Sequence, residues 1–347
     1  MKSNYLRVII LLLCVLAFQT SSAQKFKNAN DYLSFIGKEN GKISKSMWKY
    51  TKSLAHSKSA RKVEGDRKRL LKSLERAMIK INRAKPYEGE DDYKKKVLEY
   101  MDLYSSLLKN DYAKIVDMKE VAEQSYDFME AYILAQELAD KRMQEAQQTY
   151  ANAQKEYAER NNIRLIDKET ELGKKMKISN EVFDHKNDVY LVFFKSNIQE
   201  RFMINALSSQ DISAIQQNAN ALLTIAKEGM MAVDTIDLYK EDTALIKATK
   251  TALQFYIDET ENTVPKLLEF FLLNEKFETI KTAIDKKASK DRTKKEIDTY
   301  NNMVNEINKA VEDFNKTNAK LNKERTKVIN QWNEASAKFL SRHIPKE

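Results

Sequence analysis

Only one cysteine, Cys14, with six glycines, three prolines and three histidines, stands among 347 residues. Each scarcity excludes something. One cysteine allows no disulfide framework and no thiol-rich metal site. So few glycines and prolines leave too few turn-formers for a sheet protein with many hairpins. No two glycines lie closer than Gly37 and Gly41, so neither phosphate-loop signature is present. His56, His185 and His343 are each alone in sequence. There is no HExxH, and the residues three before them are Ser53, Val182 and Leu340 rather than the glutamates of a di-iron bundle. Glu181 and His185 are four apart on one helix face, a spacing that reads as a salt bridge. No catalytic residue, metal or cofactor is therefore expected. Carboxylate pairing among the 51 acids for glycoside hydrolysis is the chemistry that the sequence leaves open.

At the N-terminus, Lys2 and Arg7 precede an eleven-residue apolar run, Val8 to Phe18, followed by the small residues Ser21, Ser22 and Ala23. This is the pattern of a secretory signal peptide cut between Ala23 and Gln24. The run is too short for the roughly 20 residues of a membrane-spanning helix. Lipidation at Cys14 is disfavoured because Leu13 is bulky and the apolar run continues past the cysteine. Removing 23 of the 347 residues leaves 324, takes the formal charge from +9 to +7 through loss of Lys2 and Arg7, and deletes the cysteine. The expected location is the periplasm or cell surface, with no membrane span in the mature chain.

Charged residues at 32% beside 42% hydrophobic residues, with sixteen tyrosines and fourteen phenylalanines, argue for packed amphipathic helices rather than disorder. The expected fold is all-α, an elongated bundle of long antiparallel helices. Helices are expected over 30 to 57, 60 to 84, 91 to 109, 112 to 163, 176 to 206, 210 to 232, 241 to 262, 266 to 285 and 292 to 341, with breaks at Pro86 and Pro265. The apolar run Val189 to Phe194 has no partner strand in the sequence and is read as a helix buried all round.

The last helix carries a heptad stripe, Ile297, Val304, Val311, Asn318, Arg325, Trp332, Phe339, with Tyr300, Ile307, Phe314, Leu321, Val328 and Ala335 at the companion positions. Its two polar members, Asn318 and Arg325, either fix register against a neighbour or lie where the helix leaves the core. A similar stripe precedes it by 182 residues, through Ile115, Ala122, Met129, Gln136, Met143, Tyr150 and Tyr157, and aligns Arg160 with Arg342. "KPYEGEDDY" at Lys85 and "DLYKEDTAL" at Asp237 both read as an acidic turn before a helix. Together these predict two tandem helical halves, 24 to 175 and 176 to 347.

The segments "DYLSFIGKENGKISKSMWKYTKSLAHSKSARKV", "NDYAKIVDMKEVAEQSYDFMEAYILAQE", "VYLVFFKSNIQERFM" and "FLSRHIPK" resemble an uncharacterised family of exported, all-helical bacterial surface proteins, the leptospiral-type surface protein family. The resemblance spans nearly the whole mature chain. It implies an envelope or surface location and a helical fold, and carries over no activity, ligand or catalytic residue. Some such proteins are lipid-anchored, from which the surroundings of Cys14 depart.

Three surface features remain. His56 lies two residues past Leu54, the last of the stripe Met47, Tyr50, Leu54, so it is expected to face solvent. The basic run Lys58, Arg61, Lys62, Arg67, Lys68, Arg69 and Lys72, relieved by Glu64 and Asp66, offers a face for an anionic envelope surface or an ordinary solvated helix. No aromatic residue interleaves it, so nucleic acid is not expected. Tyr190, Phe193, Phe194, Tyr256, Phe270 and Phe271 are candidates to line an apolar cleft between the halves. The functional expectation is a non-enzymatic exported scaffold or interaction module, with an envelope protein or anionic surface as partner; the second reading is a ligand-binding module.

Overall fold

The computed structural model describes residues 25–57, 59–111, 121–166 and 170–346. The signal segment with Cys14, Ala23 and Gln24, the stripe members Ile115 and Met118, and Lys58 lie outside them. The described chain is an all-α bundle: α1 Ala29–His56, α2 Ala60–Arg83, α3 Asp91–Ser106, α4 Tyr126–Arg160, α5 Glu171–Ser209, α6 Ile212–Asp234, α7 Ala244–Asp258, α8 Val264–Asp285 and α9 Lys294–His343. No helix among the described residues is long and apolar enough to cross a membrane.

Residue chemistry sets the ends. Pro86 separates α2 from α3. Gln210 in the left-handed region closes α5, and the Asp211 side chain accepts from the Ala214 N–H to start α6. A capping box, Thr293 with Glu296, opens α9. Pro265 does not break the chain as expected. It sits in the first turn of α8, and a π-turn, Glu259–Thr263, joins α7 to α8. The wider turn carries the chain into a residue that lacks an N–H without ending the helical path. The long helix expected from 112 is interrupted before Tyr126, where Ser125 caps α4 by accepting from the Phe128 N–H at 3.2 Å.

The chain forms two compact units. Among the described residues the first comprises 25–50, 60–111 and 138–166; the second comprises 51–57, 59, 121–137 and 170–346. The first is built on buried tyrosines: Tyr93 stacks on Tyr157 at 4.7 Å and Tyr100 on Tyr150 at 5.1 Å, over Leu70, Leu74 and Ile81. In the second, α5 runs through the core, and no residue from Val189 to Glu200 is exposed. The α9 stripe is buried at Ile307, Leu321, Val328, Trp332 and Phe339, but Ile297 and Val311 are 40% exposed, and Met303 and Ser336 are buried beside the heptad positions. A helix with 3.6 residues per turn drifts against a strict seven-residue repeat, so its buried face moves off the stripe.

The elements recur. The turn Tyr87–Gly89 and the turn Tyr239–Glu241, 152 positions later, both follow an extended residue, place their middle residue at φ 48, and close with an N–H donated to the tyrosine carbonyl, from Glu90 at 3.1 Å and Asp242 at 3.0 Å. A π-turn follows the next helix at the same offset, Leu107–Asp111 and Glu259–Thr263. The buried positions match as well: Leu70 with Leu222, Ile81 with Val233, Met101 with Leu253, Tyr104 with Tyr256. Each copy fastens its last helix to the acid of that turn. Glu90 accepts from Arg160 at 3.4 Å and Asn161 at 3.1 Å; Asp242 accepts from Arg342 at 2.6 Å and meets His343 Nε2 at 2.7 Å. Burial alone would raise Asp242, but the Ala244 N–H, His343 and Arg342 hold it at about 2.

Ring contacts follow the same rule. Tyr157 lies 5.8 Å from Tyr32, and Phe339 lies 5.2 Å from His185, positions 182 and 153 apart. Trp332 of the second copy stands where the first has Tyr150; it stacks on Phe193 at 4.4 Å, and its Nε1–H donates to Thr249 Oγ1 at 2.9 Å. The first copy has Val97 at the position of Thr249. We expect Thr249→Val to cost about 1–3 kcal/mol in a denaturant titration, because it strands the buried indole N–H. An unchanged midpoint would mean that this hydrogen bond contributes nothing net.

Candidate functional site

The residues singled out in sequence fall in different places. His56 does not face solvent. It is half-buried, its Nε2 is buried without a partner, the carbonyls of Ile344 and Pro345 approach the ring, and burial lowers its pKa. The cause is the C-terminal segment, which α1 also holds through Lys52 Nζ donating to the Lys346 carbonyl at 3.0 Å. No spacing within α1 reveals a partner that distant in sequence. His185 is buried with Nε2 unpartnered, while Glu181 is exposed, and the two form no ion pair.

The basic run is partly consumed by the fold. Arg67 is 14% exposed; it grips Glu64 at 2.7 and 2.9 Å and donates to the Leu108 carbonyl at 2.8 Å. Arg69 pairs with the buried Asp66, and Lys68 with Glu64 at 3.5 Å. Arg61, Lys62, Lys68, Arg69 and Lys72 are exposed. The six aromatic candidates all belong to the second unit. Phe193, Phe194, Tyr256 and Phe271 are buried, Tyr190 packs 5.4 Å from Trp332, and Phe270 stacks on Phe314 at 4.3 Å. They build core and helix contacts.

A different group is chemically unusual. Arg325, the polar member of the α9 stripe, is 12% exposed and lies between two buried acids. Its Nε pairs with Glu200 of α5, its Nη2 meets Glu259 Oε1 at 2.6 Å, and its Nη1 donates to Asn322. Glu200 is 1% exposed and Glu259, first residue of the π-turn, has a fully buried side chain. Asn318, the other polar member of the stripe, is half-buried and meets only Asn322 at 3.5 Å. Arg325 thus supports the register reading, and Asn318 lies nearer the edge of the core.

Two carboxylates on one guanidinium leave an excess negative charge on side chains that are almost fully buried. Burial pushes Glu259 up to about 8, and the neighbouring Glu200 adds to the shift; burial likewise raises Glu200 against the pull of Arg325. Near neutral pH the pair therefore retains one proton and the trio is neutral. The two acids are close enough to repel when both are ionised and to share a hydrogen bond when one keeps its proton.

Glu259 also lines a surface groove of about 710 Å³. Its walls come from Met230 of α6, Thr251, Gln254 and Phe255 of α7, and Leu321 and Val328 of α9, with Lys250, Asp258, Glu324 and Lys327 also lining it. The first copy has a groove of about 420 Å³ at the corresponding place, on Met78, Leu98, Glu99 and Asp102. The residues that correspond there to Glu200, Glu259 and Arg325 are Met47, Leu107 and Met143. Leu107 is fully buried, and Met47 and Met143 pack on the core of their unit. An apolar trio therefore completes the same arrangement of helices where the second copy carries charge. Spacing within either copy does not reveal this; setting the copies in register, at 152, 153 and 182 positions, does.

Among the described residues no group of three or more His, Cys, Asp or Glu side chains could hold a metal ion. No protein-family model matches the chain, and neither a curated protein nor a solved structure matches it significantly.

Proposed function

We propose that this protein is an exported, non-enzymatic helical module of the bacterial envelope that holds a small ligand in the groove beside Glu259. The observation that carries this reading is the replacement of Met47, Leu107 and Met143 by Glu200, Glu259 and Arg325 between two copies of one helical arrangement. Buried ion groups contribute less to stability than apolar side chains of similar volume. A charged trio beside a groove of ligand size, where an apolar trio supports the sister copy, fits selection for binding. The N-terminal apolar segment supports export. The absence of a recognisable nucleophile or nucleotide motif in the sequence favours holding over turnover. The scaffold reading rests on the export signal and the heptad stripes, and leaves the buried charges the role of fixing helix register.

The test is native mass spectrometry on the protein released from its own envelope without denaturation, beside a Thr251→Trp variant. Thr251 is exposed on the groove wall, so tryptophan there fills the groove without disturbing the core. We expect the mass of Gln24–Glu347 plus a small adduct that the variant lacks. A bare chain, or a complex with a second protein that survives Thr251→Trp, favours the scaffold.

A further inference from the structure

The two copies differ in length as well as in charge. Their offset is 152 positions at Leu107 and Glu259 but 182 at Tyr150 and Trp332, so the second copy holds thirty more residues between these points. The hairpin of α8 and α9 lies in that interval. Its arms pack on each other, with Phe277 against Tyr300 at 6.1 Å. Yet Ile284 is the one buried residue from 272 to 302, so this end of the hairpin stands out from the other helices of its unit.

The tip is basic. Residues 286–295, "KKASKDRTKK", carry six cations against the single acid Asp291. Lys287 pairs with Glu296, and Arg292 lies 4.0 Å from Asp285 and donates to the Lys287 carbonyl at 3.1 Å. Lys286, Lys290, Lys294 and Lys295 are exposed and make no ion pair among the described residues. Lys294 and Lys295 also open α9, where the positive end of the helix dipole disfavours cations, so the fold gains nothing from their charge. We propose that this tip docks the protein on an anionic phospholipid bilayer, its free lysines meeting the headgroup phosphates. The groove plays no part in this contact. Composition selects the partner. Ala288 is the one apolar residue of the stretch, whereas a stable protein interface needs buried anchors such as tryptophan or tyrosine. No aromatic residue is present in it to stack on bases. Every residue from 285 to 291 is exposed, so the turn spreads its charge over a surface rather than enclosing one anion. An array of headgroups meets such a surface, and each lysine brought near it adds attraction.

The test is co-sedimentation of the protein with vesicles of equal parts phosphatidylglycerol and phosphatidylcholine, and with vesicles of phosphatidylcholine alone, at about 0.05 M and about 0.5 M salt. We expect partition onto the anionic vesicles to be at least about tenfold stronger at low salt, and the difference to vanish at high salt. The variant Lys286→Gln, Lys290→Gln, Lys294→Gln, Lys295→Gln should lower that partition at least about tenfold, while its denaturant midpoint equals or exceeds the parent's. The control Lys309→Gln, Lys316→Gln, Lys320→Gln, Lys323→Gln removes the same charge from exposed positions along α9. It should change the partition less than about threefold, because its lysines lie away from the tip. Equal losses in the two variants would assign the attraction to the net charge of the chain and overturn the role of the tip. Equal partition onto both kinds of vesicle, or tighter binding to duplex DNA or polyglutamate at the same salt, overturns the bilayer as partner. Neither result bears on the groove, which Thr251→Trp tests.

Discussion

Arg325→Met alone is expected to destabilise the protein by about 3–5 kcal/mol, because it leaves Glu200 and Glu259 buried without their cation. The triple variant Glu200→Met, Glu259→Leu, Arg325→Met is expected to recover that loss and to equal or exceed the parent. The model for it is the first copy, where Met47, Leu107 and Met143 occupy the same positions and Leu107 is fully buried. Apolar replacement of a buried ion group of similar volume is commonly neutral or stabilising, whereas removing one partner is strongly destabilising. Denaturant midpoints of the parent, single and triple variants at one pH decide this. A triple variant as unstable as the single one would mean that the charges are required by the local packing of the second copy.

The second large effect is a dependence of stability on pH that resides in Glu259. Its carboxyl, pushed up to about 8 by burial and by Glu200, has an unfolded value of 4.5. Between these values the native state holds a proton that the unfolded chain has released. Its stabilising contribution is complete below the unfolded value and declines as pH rises through the folded one. The slope of stability against pH from this site approaches about 1.4 kcal/mol per pH unit across the window. Glu259→Gln carries no titrating group at that position, and Glu200 then faces Arg325 alone. We expect the variant to lose most of the decline between pH 5 and pH 8 seen for the parent. Parallel pH profiles would place both carboxylates in the ionised state throughout and contradict the proton count on which the site's neutrality rests.

The helical architecture was legible because its signals are local. Scarce glycine and proline, heptad stripes and two acidic turns placed most helices within a few residues, and the apolar run Val189–Phe194 was correctly kept helical by its lack of a partner strand. The π-turns were not legible, since Leu107–Asp111 and Glu259–Thr263 share no composition that differs from ordinary helix. The site was half visible. Arg325 stood out as a polar member of an apolar stripe, but a stripe says only that a residue faces the core and not what waits there. Glu200 and Glu259 come from distant helices, and nothing in their own surroundings marks them among 51 acids. The signal that marks them is the internal repeat. "KPYEGEDDY" and "DLYKEDTAL" already fix the 152-position offset that sets Leu107 against Glu259.

The central claim is that the buried charges of the second copy serve binding while its fold does not need them. The most direct measurement takes the triple variant through native mass spectrometry and denaturant titration, beside the parent isolated from the same envelope. The account predicts a variant at least as stable as the parent that has lost the adduct. A stable variant that keeps the adduct would contradict it, and so would one that unfolds.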